Sequence, residues 1–100
     1  MKTHITKSAY GTWMAETLMP LNDKLHLCLT TMKRFDKNIT TTVAVGKQDS
    51  YFFVHEPFKD FKQTLISSSD RCTKPAVEKQ HNAAIAMLDN IRIAALTHYN

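Results

Sequence analysis

The last quarter of the chain constrains everything that precedes it. Between Pro75 and His98, Val77, His81, Ala84, Leu88, Ile91 and Ala95 recur in steps of four and three. That spacing keeps side chains on one face of an α-helix. Ile85 and Leu96 widen the stripe, and Met87 and Ala94 widen it further. Pro75 suits a first helical position, where a missing N–H costs nothing, and Thr73 supplies a capping oxygen. No Gly or Pro interrupts Ala76 to His98. The pattern predicts one continuous helix of roughly 36 Å at about 1.5 Å per residue. A 100-residue domain has a radius of gyration of about 13 Å, so such a helix crosses the whole molecule. Its apolar surface is wider than one sheet covers. Ala83, Ala84, Ala86, Ala94 and Ala95 are small enough to admit another backbone. The expectation is a stripe packed on the chain's own sheet, with Ile85, Met87, Arg92 and Leu96 forming an interface for a protein partner or a second copy.

Upstream, the period changes. Lys24 to Lys33 alternates, with Leu25, Leu27 and Leu29 on one face and His26, Cys28 and Thr30 on the other. Ile39 to Val45 alternates again, placing Ile39, Thr41, Val43 and Val45 together. Alternation and β-branching mark half-buried strands. Tyr51 to His55 reads as a third, aromatic strand, and the short connections imply an antiparallel meander. Tyr10, Trp13, Met14 and Leu18 fall at helical spacing between Ser8 and Pro20, so an N-terminal helix is expected there, weakened by Gly11. Residues 1–7 read as a polar lead or edge strand. Pro57, Phe58, Phe61 and Leu65 suggest a second helix before the closing one. The expected fold is a single α+β domain over residues 1–100. Its order is α-βββ-α-α: a three-stranded antiparallel meander with an N-terminal helix and two C-terminal helices.

Thirteen Lys and Arg against nine Asp and Glu leave a net charge of +4, a mild basic excess. It suits nucleic acid or an acidic protein surface. No apolar run approaches the ~20 residues of a membrane span, and the first residues lack a signal-peptide core. A cytoplasmic chain with no membrane partner is therefore expected. Cys28 and Cys72 alone do not make a disulfide framework.

Catalytic and metal-binding patterns are weak. His26 and Cys28 form one pair with usable spacing, but Cys72 and His55 do not add the close second pair of a structural zinc site. Gly11 and Gly46 are the only glycines, too few for a phosphate-cradling loop, and no G-x-S-x-G is present. Arg71 and Lys74 flank Cys72 and would acidify an exposed thiol, though no partner base is evident. No enzymatic activity, cofactor or metal is expected. Lys33, Arg34 and Lys37 cluster at the first hairpin turn, and Lys47 sits at the second, which a meander places at the opposite end of the sheet; these are the expected contacts for nucleic acid or an acidic partner. Tyr51, Phe53 and Val54 match the aromatic and aliphatic positions of an RNA-recognition strand, while its basic, Gly and small positions are not matched. The helix–three strands–helix skeleton, with Lys79 and Ala83-Ala84, is also similar to a double-stranded-RNA-binding domain, but the extra helix and missing loop signature depart from it.

In size and style the chain resembles the small inhibitors and regulators of phages and plasmids, anti-CRISPR proteins included; no motif carries that likeness. The expected function is a small non-enzymatic regulator or inhibitor that binds a protein or ribonucleoprotein. Direct nucleic-acid binding is the alternative, and a homodimer through the closing helix is the expected self-association.

Overall fold

Strand-forming alternation extends further along the chain than its helical spacings suggest. The computed structural model describes residues 2–9, 11–22, 25–33, 37–48 and 54–99. Five strands precede two helices: β1 (Lys2–Lys7), β2 (Trp13–Pro20), β3 (Leu25–Lys33), β4 (Ile39–Gln48), β5 (Val54–Ser68), α1 (Lys74–Ile85) and α2 (Leu88–Tyr99). The strands form one antiparallel sheet in chain order. The α+β class holds, but the three-stranded sheet with an N-terminal helix does not.

Three elements account for the difference. The segment expected as an N-terminal helix contributes β2, paired on both sides with β1 and β3. Trp13, Ala15, Thr17 and Met19 take the helix-covered face, and Met14, Glu16 and Leu18 the other. A short run such as Trp13–Met19 satisfies both periods, and two flanking strands decide it by pairing its backbone on both edges. Gly11 lies in the β1–β2 turn at φ 83, a left-handed conformation suited to glycine. Its N–H donates to the Ser8 carbonyl at 3.0 Å, and the Ser8 N–H donates to the Thr12 carbonyl at 2.8 Å.

The segment expected as a helix from Pro57 is instead part of β5. Pro57 pairs opposite Gly46 in an edge strand, where a missing N–H is tolerated. The register shifts three times along the β4–β5 ladder. The expected third strand, Tyr51–His55, is described only from Val54. The closing helix is two helices. At its break the Met87 N–H donates to the Ala84 carbonyl at 2.9 Å, a tightened i→i+3 turn without Gly or Pro. Thr73 caps α1 by accepting from the Ala76 N–H at 3.3 Å.

Both helices lie on one face of the sheet. Leu21, Leu27, Leu29, Val43 and Val45 pack there with Ala84, Leu88, Ile91 and Ala95. A smaller cluster joins Ala15, Ile39 and Val77, with Trp13 and Ile5 packed against it. All six residues of the helical stripe are buried. Full burial of an aliphatic side chain stabilises by about 1.5–3 kcal/mol.

A polar seam runs between these clusters. The His81 ring lies 2.7 Å from Thr17 Oγ1 through Nε2 and 2.7 Å from Thr31 Oγ1 through Nδ1. Thr17 continues to Thr3 at 2.7 Å, and Thr31 to Thr41 at 2.7 Å. Gln80 Nε2 donates to the Ile39 carbonyl and to Thr41 Oγ1, each at 3.0 Å, while Ser68 donates to Gln80 Oε1 at 2.9 Å. Hydroxyls from β2, β3, β4 and β5 thus meet two adjacent residues of α1, and Thr3 of β1 joins them through Thr17. The Ile39 carbonyl can only accept, which orients the Gln80 amide. Hydrogen bonds then run from Gln80 to Thr41, Thr31, His81, Thr17 and Thr3. This order lets each buried hydroxyl donate and accept once, and it requires a neutral imidazole. Burial lowers the His81 pKa to about 4, which keeps it so.

Candidate nucleic-acid interface

In an antiparallel meander alternate connections fall at the same end of the sheet. The β1–β2 turn, the β3–β4 connection, the end of β5 and the start of α1 therefore converge. Trp13 is the centre of this end. Its strand partner is Lys7, whose Nζ lies 5.6 Å from the ring centre. Lys74, in the first turn of α1, brings its Nζ to 5.5 Å from the same centre. The indole thus gathers two ammonium groups from elements far apart in sequence, a cation–π arrangement. The loop before α1 is held to the same residue, because the Cys72 thiol donates to the Trp13 carbonyl at 3.4 Å.

Further positive charge surrounds this pair. Lys33 ends β3, Lys37 sits in the β3–β4 connection at φ 70, and Arg71 lies in the loop before α1. All three are exposed, as are Lys7 and Lys74. The first turn of α1 carries no acidic residue, so its dipole adds to the positive field. Against these stand Asp70 and Glu78. Glu78 approaches Lys74 at 3.8 Å as an i,i+4 pair, an exposed contact worth a few tenths of a kcal/mol.

The expected basic contacts divide between the two ends. Lys33 and Lys37 join the Trp13 end, whereas Lys47 lies opposite Leu25 at the far end of β4. From Ile39 to Lys47 the strand spans roughly 26 Å at about 3.3 Å per residue. Arg34 lies outside the described residues, as do Tyr51 and Phe53. The expected protein-interface residues also divide. Ile85 and Leu96 pack against the core, while Arg92 is exposed and Met87 is 41% exposed at the helix break. Lys7 was not among the expected contacts, and Lys74 was expected only as one of a dispersed basic set. Their meeting over Trp13 emerges only once that residue is placed on a strand.

The thiols and imidazoles considered for metal or nucleophilic chemistry do not converge. Cys28 faces away from the helices, 3.6 Å from Thr30 Oγ1. Burial raises its pKa; Thr30 opposes the shift and Glu16 adds to it. Cys72 lies on the opposite, helix-covered side, packed against the Val77 cluster. Among the described residues no three His, Cys, Asp or Glu side chains group as metal ligands. Among the same residues no helix is long and apolar enough to cross a membrane. No protein-family model, curated protein or solved structure matches the chain.

Proposed function

We propose that this chain is a small non-enzymatic binding protein that seats its Trp13 end on the phosphate backbone of a nucleic acid, free or within a nucleoprotein, and regulates or blocks that partner by occupying it. The reading rests on one observation: Lys7 and Lys74 both gathered on the Trp13 ring. Ammonium groups held in place lose less freedom on meeting a phosphate than groups on free stems. Lys33, Lys37 and Arg71 extend the same surface. Phosphate contacts of this kind release counterions, so affinity depends steeply on salt.

The test is fluorescence anisotropy of a labelled twelve-residue oligothymidylate across a salt series. Three to five phosphate contacts predict a slope of log K against log salt of about −2 to −3.5 for a single strand. Joint replacement Lys7→Ala and Lys74→Ala should flatten that slope by about 1.4. Absent or salt-insensitive binding overturns the reading.

A second reading, a homodimer through the outward face of α2, is favoured by Ile93, which is 64% exposed, and by Met87, exposed at the helix break. Native mass measured over a concentration series tests it. A monomer throughout removes it, and a dimer abolished by Ile93→Glu supports it.

A further inference from the structure

At the Trp13 end of β1, β2 and β3 lies a cavity of about 110 Å³, bordered by Thr6, Met14 and Met32 of the open sheet face and by Trp13 and Lys33 of the helix-covered one. Met14, Met32 and Trp13 contribute its apolar walls, while Thr6, Thr12 and Lys33 bring hydroxyls and a cation. Apolar walls with a few polar groups suit a flat ring with a polar edge. Methionine is soft enough to mould itself against such a ring. An apolar cavity of about 150 Å³ holds benzene, so a partly open one of this size takes a single six-membered ring rather than a fused pair.

We infer that the preferred partner is single-stranded, and that one pyrimidine base enters this cavity and lies against Met14 and Met32 while Lys33, Lys7 and Lys74 contact the flanking phosphates. This deepens the proposed function and rests on it. Lysine ammoniums already occupy the Trp13 ring, so the methionine cavity rather than the indole receives the base. The charge around the cavity selects a ring attached to phosphates over a neutral one. A base inside a duplex is stacked on both faces and must be extruded first, at a cost a single strand avoids.

The experiment compares four labelled twelve-residue probes on the full chain: oligothymidylate, oligoadenylate, an abasic strand, and the thymidylate–adenylate duplex. Oligothymidylate should bind roughly tenfold or more tightly than the abasic strand, in line with insertion of one base. It should also exceed oligoadenylate and the duplex. Thr6→Phe places a ring in the cavity from the exposed edge strand. It should reduce oligothymidylate binding to the abasic level without changing abasic affinity or its salt slope. Equal affinity for oligothymidylate, abasic strand and duplex, with a normal salt slope, overturns base insertion and leaves the phosphate-binding reading standing. Equal affinity for oligoadenylate overturns the pyrimidine assignment. No binding to any probe overturns both readings. The wild-type comparisons decide the matter even if Thr6→Phe does not fold.

Discussion

At the scale of single residues, His81 ties β2 and β3 to α1 through its ring. Both ring nitrogens are engaged inside the protein, and the residue is 1% exposed. Its folded pKa of about 4 lies below the ordinary 6.5, so between those values the unfolded chain binds a proton that the folded chain refuses. Stability from this group is therefore full above about pH 6.5. It declines as pH falls towards 4 and levels off below, a loss of about 3 kcal/mol in all. Urea unfolding at pH 7 and pH 4.5 should show the decline, and it should shrink in His81→Gln; an unchanged pH difference in that variant would remove the assignment. Thr31→Val strands both His81 Nδ1 and a Thr41 bond, and should cost about 1–3 kcal/mol at neutral pH. The buried position of His81 was legible in the sequence, since it falls on the apolar stripe. Its partners were not, because Thr17, Thr31 and Thr41 become its neighbours only once three strands and a helix are assembled.

At the scale of elements, β3, β4 and the position of the helical region follow from periodicity alone. Leu27, Leu29, Ile39, Val43 and Val45 are buried on the face their alternation assigns. Misreadings fall where a segment satisfies two periods. Trp13, Met14 and Leu18 fit a helix, while Trp13, Ala15 and Thr17 fit a strand; pairing partners on both sides favour the strand. Gly11, which only weakens a helix, is the residue that turns β1 into β2. Gly11→Ala should destabilise by about 1 kcal/mol through its left-handed backbone alone. An added Cβ there meets nothing closer than the Lys7 Cε at 4.0 Å, so no steric term adds to it. Thermal unfolding measures that cost, and a neutral result would place the turn in another conformation. The break at Ala86–Met87 has no sequence signal of the Gly or Pro kind. Its effect is to re-aim Leu88, Ile91 and Ala95 onto the sheet, which one straight rod roughly 36 Å long would leave at its ends.

At the scale of the whole molecule, the meander sorts charges that the sequence lists without order. Lys33 and Lys47 were expected at turns on opposite ends of the meander, and β4 separates them end to end. Lys33→Ala should weaken oligothymidylate binding and reduce the salt slope by about 0.7, while Lys47→Ala leaves both unchanged. Equal effects of the two substitutions would show a diffuse field rather than a site. The order of residues alone established the basic charge and the α+β class, because net charge and apolar periodicity depend only on local residues. Strand count and the Trp13 site belong to the tertiary structure. Whether a segment such as Trp13–Pro20 or Val54–Ser68 is extended depends on a partner strand to satisfy its backbone. Lys7 and Lys74 meet over one indole only because antiparallel pairing returns β1, β2 and the start of α1 to the same end of the sheet.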